Sequence, residues 1–319
     1  MPSHSGNLHV IFGSGQLGLA VARVLIGRSM QVRLVNRRGR AEVFDGVDVV
    51  AADAADHASA RRVCQGAAVV YHCAQAPYAE WPVKSPPIMA GIIEGAAAAG
   101  ARLVYGDNLY MYGPVSGPLT EDLPYRATGP NGQTRAKLAV TLLEAHQTGK
   151  LRATIGRASD FYGPNALQST LGERVFVPAL AGKAAQVLGN PDMPHTYTFI
   201  GDFASGLVTL GERDEALGQV WHIPSAETVT TRRLVEMIFA ELGAPTRLAV
   251  APMFAISVMA LFNPTMRAVK EQLYQSTQPF VVDHSKFARA FGSRHTPHLE
   301  AIRQTLDWFR GYLSGRARR

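Results

Sequence analysis

The stretch Val10-Ile11-Phe12-Gly13-Ser14-Gly15-Gln16-Leu17-Gly18 constrains this chain more than any other. A short apolar run ends in three glycines spaced G-x-G-x-x-G, and a helical pattern over 16–29 follows. Each glycine has its own task if the turn holds a pyrophosphate. Gly13 permits the tight exit from the strand, Gly15 lets a phosphate approach the backbone, and Gly18 lets helix and strand pack closely. The N–H groups at the start of the helix then face the anion. Glycine-rich turns are common, so the motif counts only because a strand precedes it and a helix follows it near the N-terminus. A dinucleotide site is therefore expected, with Gly13, Ser14, Gly15, Gln16, Leu17 and Gly18 at the phosphates.

The bulk numbers bound the alternatives. The 319 residues suit one large or two modest domains, and a 47% hydrophobic, 18% charged composition is that of a globule with a substantial core. The net charge of +7 invites a nucleic-acid reading, but the basic residues cluster only at Arg37-Arg38-Gly39-Arg40 and Arg316-Ala317-Arg318-Arg319. No recognition helix, zinc spacing or interleaved aromatic stripe accompanies them, so no nucleic-acid partner is expected. Cys64 and Cys73 make neither a disulfide framework nor a metal site, which points to a reducing compartment, and the polar start Met1–Asn7 is no signal peptide; cytoplasmic localisation is the expectation. The longest apolar run, Leu248 to Phe262, is fifteen residues with Pro252 inside it, short for a bilayer span. A buried or pocket-lining helix over Pro252–Phe262 is expected instead, and no membrane partner.

Strands and helices alternate through the first half. Strands are expected at Leu8–Phe12, Gln31–Val35, Val49–Ala51, Ala67–Cys73, Arg102–Tyr105 and Arg152–Gly156, with helices at Gln16–Ser29, Ala58–Cys64, Ile88–Ala99 and Gln133–His146 between them. That alternation implies an α/β fold: a doubly wound parallel Rossmann-type sheet with ligands at the C-terminal ends of its strands. After Gly163-Pro164 the pattern loosens, with strands at Tyr197–Ile200 and Val220–Ile223 and helices around Glu173–Ala181, Phe203–Glu212, Thr231–Leu242, His284–Phe291 and His298–Tyr312. The domains expected are 1–165 for the cofactor, with 198–215 returning to it, and 166–319 as a smaller C-terminal α/β substrate lobe.

An NAD site usually places a carboxylate at the end of the second strand, where it accepts the ribose hydroxyls. Here Asn36 stands there, followed by Arg37 and Arg38. A carboxylate repels a 2′-phosphate, whereas guanidinium groups grip it bidentately, so NADP(H) is the expected cofactor. Asp53, after the third strand, meets the adenine amino group or caps a helix.

With these pieces assembled, the chain resembles the extended and atypical short-chain dehydrogenase/reductases, the NAD-dependent epimerase/dehydratase superfamily. Tyr71-His72-Cys73-Ala74 is similar to the segment that passes beneath the cofactor, which would place Cys73 and Ala74 there. Tyr110-Met111-Tyr112-Gly113-Pro114 resembles the tyrosine–glycine block after the fifth strand, and Arg157 through Phe161-Tyr162-Gly163-Pro164 the block after the sixth, with Tyr162 beside the cofactor. Thr198-Phe199-Ile200-Gly201-Asp202 resembles the strand–Asp–helix element of the C-terminal half. A homodimer is what the resemblance implies about assembly.

The departures from the family pattern carry more information. Its active site joins a Ser or Thr, a Tyr and, four residues later, a Lys. Lys137 fits the lysine and would hold the nicotinamide ribose, but Gln133 occupies the tyrosine position and Asn108, with Asp107 before it, the serine position. An amide has no accessible pKa, so Gln133 moves no proton and is assigned instead to the substrate. Asn108 donates to a carbonyl but delivers no proton. The proton must then come from Asp107, Tyr110, Tyr112, Tyr162, Lys137 or water. Sugar-nucleotide members carry an arginine ahead of the later strand, where this chain has Pro194-His195-Thr196-Tyr197; with Arg157, His195 and Tyr197 are expected at the substrate. Phe176, Met193, Met253, Phe254, Met259 and Phe262 make the lobe apolar, either as plain core or as a pocket for an uncharged substrate. His72 and His222 read as packed strand histidines and Asp283 as a helix cap. The function expected is an NADPH-dependent reductase, or an enzyme of the epimerase/dehydratase type, acting on a carbonyl of a small to medium, fairly apolar molecule. An NADP-binding regulator without turnover and a redox-neutral isomerase are the alternatives.

Overall fold

The computed structural model describes residues 8–251 and 259–317, with side chains as far as 315. Met1–Asn7, Met253, Phe254, the first part of the expected helix Pro252–Phe262 and the side chains of the basic tail lie outside it. The first strands and helices run β1 (Leu8–Phe12), α1 (Gln16–Gly27), β2 (Gln31–Asn36), β3 (Val47–Ala51), α2 (His57–Cys64), β4 (Ala67–His72), α3 (Trp81–Ala98), β5 (Arg102–Asp107), α4 (Pro130–Gln147) and β6 (Arg152–Arg157). These elements lie where the alternation predicts them. The largest departure is α3, which begins seven residues earlier than Ile88, while α4 begins three residues before Gln133; Pro82 sits at the start of α3, where a missing N–H costs nothing, and Pro86 and Pro87 continue it.

The chain divides into two compact units. Unit 1 holds residues 1–113, 124–157 and 203–223, so the returning segment starts and ends later than 198–215, and 114–123 belongs to the other unit. Its sheet is entirely parallel. Adding β11 (Val220–His222), the strand order is β11-β6-β5-β4-β1-β2-β3, the doubly wound arrangement. Val10, Phe12, Leu103, Tyr105 and Ile155 project from it into one core with Ile92, Leu138 and Leu142 of the helices. Close packing depends on absent side chains: a Cβ on Gly91 of α3 would lie 2.0 Å from the Ala54 carbonyl, and one on Gly95 2.7 Å from that of Ala60.

Unit 2 takes residues 114–123, 158–202 and 224–319. Its strands are short and pair in twos: β7 (Phe161–Tyr162) with β10 (Thr198–Phe199), β9 (Pro194–His195) with β12 (Val229–Thr230), and β8 (Ala185–Val187) with β13 (Leu248–Val250). The helices α5 (Glu173–Leu180), α7 (Thr231–Glu241) and α11 (His298–Ala317) bury Phe176, Ile238, Phe239, Leu306 and Phe309 among themselves. Thr230 caps α7 by accepting the Arg233 N–H at 3.0 Å. The described end of the apolar run corrects the expectation of a buried helix. Residues 259–262 are helical, but Met259, Leu261 and Phe262 face solvent and only Ala260 turns inward.

Candidate active site

The glycine turn is assembled from backbone alone. Gly13 takes a φ of 105°, and a Cβ there would lie 2.7 Å from the backbone of Cys73 and Ala74, the segment that leaves β4. The Gly13 N–H donates to the Val35 carbonyl and the Cys73 N–H to that of Phe12, each at 2.9 Å, so the ends of β1, β2 and β4 are tied together here. A Cβ on Gly18 would fall 1.8 Å from the Gly13 carbonyl oxygen, which is why the helix can start so close to the strand. Gly15 differs: it is exposed, caps α1 with no side-chain hydrogen bond, and a Cβ there would meet nothing within 4 Å. The first turn of α1 carries no acidic residue, so its leading N–H groups and dipole are uncompensated. An open floor beside uncompensated donors fits the diphosphate of a dinucleotide.

At the end of β2, Asn36 is occupied within its own loop. Its Oδ1 accepts the Arg38 and Gly39 N–H groups at 2.8 Å, and its Nδ2 donates to Ser14 Oγ at 2.9 Å and to the Arg40 carbonyl at 3.1 Å. Arg37 and Arg38 are left exposed on that loop. Asp53 is exposed too. Its Oδ1 accepts the Ala55 N–H at 2.9 Å, and the cap of α2 is Asp56.

The second part of the site is a corner where β5 ends against α4. Asp107 is fully buried between two guanidinium groups, accepting from Arg135 Nη1 at 3.3 Å and from Arg157 Nε at 3.2 Å. Arg157 also donates to the hydroxyls of Tyr112 and Tyr125, both at 2.7 Å, and Tyr112 bonds His222 Nε2 at 3.0 Å. This corrects two expectations. Arg157 is wholly buried and committed to this network, so it presents nothing to a substrate; Asp107 holds the two cations and acts as acceptor, and Tyr112 is enclosed with them. Burial opposes the charge of Arg157, but Tyr112, Asp107 and Tyr125 outweigh it and raise its pKa.

Arg135 was not anticipated. It donates to the Tyr105 hydroxyl, lies 4.0 Å over the Trp81 ring, and leaves its buried Nε without a hydrogen-bond partner. Burial works against its charge too, but Tyr105, Asp107 and Tyr110 together hold its pKa above the ordinary value. His72, at the end of β4, is pushed down to about 3 by burial and then by the Arg135 charge, and its Nδ1 is likewise unpartnered. Gln133 and Lys137 lie on the exposed side of α4; the residues with the same spacing on its buried side are Asn131 and Arg135. Asn131 Nδ2 donates to the Tyr78 carbonyl at 3.3 Å. Asn108 and Tyr110, immediately past β5, are half-buried, and Asn108 Oδ1 accepts the Tyr110 N–H at 3.2 Å.

The remaining expected residues belong to the packing of unit 2. Tyr162 is buried with its hydroxyl 3.1 Å from His298 Nδ1. Tyr197 is buried with its hydroxyl 2.7 Å from Thr231 Oγ1. His195 stacks on Tyr197 at 4.4 Å, with Nδ1 at the Gln275 carbonyl and Nε2 3.3 Å from Asp160. Phe176 stacks on Phe309 in the core. Internal partners account for Tyr162, Tyr197 and Phe176, whereas the buried Nε2 of His195 makes no hydrogen bond.

The sequence profile of the NAD dependent epimerase/dehydratase family matches residues 10–223, more than half of the chain. A dTDP-glucose 4,6-dehydratase of Actinoplanes is 24% identical over 206 residues, 64% of this chain and 58% of that protein's length. The chain thus spans less than two thirds of that relative. Among solved structures, the epimerase Mth375 of Methanothermobacter thermautotrophicus superposes with a TM-score of 0.80 at 16% identity, covering 97% of this chain and 94% of that one. DesIV, the dTDP-glucose 4,6-dehydratase of Streptomyces venezuelae solved with NAD, gives 0.77 at 18% identity over 96% and 98%. The UDP-glucuronic acid 4-epimerase of Bacillus cereus in complex with NAD gives 0.76 at 16% over 96% and 99%. At these identities the structural likeness is one of fold.

Proposed function

The chain belongs to the NAD dependent epimerase/dehydratase family, and from that premise we propose an NADP(H)-dependent enzyme that works on a carbonyl of a small to medium, fairly apolar molecule. The observation that carries this reading is the grouping of Asn108, Tyr110 and Arg135 at the C-terminal end of β5, the edge at which parallel sheets bind ligands. Gly13 to Gly18 would hold the diphosphate and Arg37 and Arg38 the 2′-phosphate. When bound, the nicotinamide supplies or accepts hydride.

The protein's own groups do the rest. Asn108 keeps Oδ1 on the Tyr110 N–H, so its amide Nδ2 is left to donate to the substrate oxygen. We assign the proton to the hydroxyl of Tyr110, the phenol two residues past Asn108 at the end of β5; Asp107 and Tyr112 are held in buried pairing. Arg135 is buried and paired with Asp107, as Arg157 is, so it touches no substrate; we assign it, in place of Lys137, only the positive field behind Tyr110 that favours the phenolate as the proton leaves. The amides of Gln133 and Asn131, neither of which can move a proton, favour a second reading: a dinucleotide-binding regulator without turnover.

Oxidation of NADPH in the presence of a panel of aldehydes and ketones separates the two. The enzyme reading expects sustained turnover that falls at least about 100-fold in Tyr110→Phe and changes little in Lys137→Met. No turnover by a protein that binds NADPH supports the regulator, and a collapse in Lys137→Met returns the cation's role to that residue.

A further inference from the structure

At the end of the sheet opposite Asn108 and Tyr110, where β5 and β6 begin, unit 1 has a cavity of about 340 Å³, within the size range of small-molecule sites. Two glycine turns hold it open. Gly100 follows α3 and Gly149 follows α4, with φ of 64° and 74°, and a Cβ on either would meet nothing within 4 Å. Ala97 and the buried Ala101 and Leu151 supply an apolar wall.

Every lining side chain that can carry charge is basic: His146, Lys150 and Arg152. Arg152 Nη2 donates to the Gly100 carbonyl at 3.1 Å, which ties the guanidinium to the first glycine turn, and its other N–H groups have no partner among the described residues. Lys150 lies 3.4 Å from Glu94, but Arg61 takes the same carboxylate at 2.9 Å, so the positive charge here exceeds the negative. His146 Nδ1 accepts the Ala153 N–H at 3.3 Å, so the neutral ring carries its hydrogen on Nε2 as a further donor.

Basic residues also gather at helix C-termini simply because the last carbonyls lack partners. In this case the glycine turns satisfy many of those carbonyls. The N–H groups of Ala99, Gly100 and Ala101 take the carbonyls of Gly95, Ala97 and Ala96, and those of Thr148, Gly149 and Lys150 take Glu144, His146 and Ala145. The cations are therefore left for something else. A guanidinium fork grips phosphate oxygens bidentately, and an ammonium adds a point charge. One phosphate fills only a small part of the cavity, so the carbon skeleton that carries it enters too.

We propose that this cavity binds a small organic phosphate, apart from the dinucleotide turn, with Arg152 and Lys150 on the phosphate and the apolar wall against its carrier. Calorimetric titration of the whole protein tests this, with fructose 1,6-bisphosphate as the probe and fructose and citrate as controls, in the presence and absence of excess NADP+. The bisphosphate should bind at least tenfold more tightly than either control, and NADP+ should not displace it. Lys150→Met/Arg152→Gln changes two exposed side chains and should cost the bisphosphate at least tenfold in affinity, whereas Arg37→Ala/Arg38→Ala should leave it unchanged. No binding of the bisphosphate, displacement by NADP+, or binding that survives Lys150→Met/Arg152→Gln overturns the site. Citrate binding as tightly as the bisphosphate overturns the phosphate as its ligand.

Discussion

The glycine turn and the corner between β5 and α4 solve the problem of presenting chemistry to a ligand in opposite ways. The turn uses no side chains: Gly13 and Gly18 are crowded to 2.7 and 1.8 Å from neighbouring backbone, and Gly15 is left open. The corner is nearly all side chain, with two guanidinium groups, one carboxylate and several phenols locked together away from water. A backbone site tolerates no added atom at its crowded points, whereas a buried charge network tolerates no lost one. The two should therefore fail to different substitutions.

The corner should give the larger effect. Asp107→Asn leaves Arg135 and Arg157 buried without their shared counter-charge, and breaking such a pair typically costs about 3–5 kcal/mol. Urea denaturation should show a loss of that size, and a loss under about 1 kcal/mol would mean that the network is less tightly closed than its distances imply. The turn comes next. Gly18→Ala drives a methyl into the Gly13 carbonyl and should cost about 3 kcal/mol, whereas Gly15→Ala should leave stability within about 0.5 kcal/mol. Its methyl would nevertheless occupy the floor offered to the phosphates and weaken NADPH at least tenfold. Equal effects of the two alanines on stability would erase the distinction between crowded and open glycines.

The same contrast explains what the sequence revealed. The turn is local, nine consecutive residues whose spacing states the geometry, and the strands and helices around it alternate plainly enough to give the sheet. The corner draws on His72, Trp81, Asp107 to Tyr110, Asn131 to Arg135 and Arg157, five separated segments whose meeting depends on the fold. Asn108 was reachable by counting back from Tyr112-Gly113. Arg135 was not, because no local pattern marks it; its burial follows from the side of α4 that carries Leu138 and Leu142 into the core, opposite the exposed Gln133 and Lys137. Trp81 lies seven residues ahead of the expected helix start at Ile88, in a first turn that carries Pro82. Unit 2 was the least legible, since its strands are two or three residues long and set by packing rather than by pattern.

The smallest effect bears on the central claim, that an NADP(H) molecule rests on the start of α1 with its extra phosphate at Arg37 and Arg38. Calorimetry with NADPH and NADH on the wild-type protein and on Arg37→Ala/Arg38→Ala tests it. Charge-assisted hydrogen bonds contribute about 1.5–3 kcal/mol, so the wild type should favour NADPH by tenfold or more and the double variant should lose that preference while binding NADH unchanged. Equal affinity of the wild type for the two cofactors, or no binding of either, would contradict it.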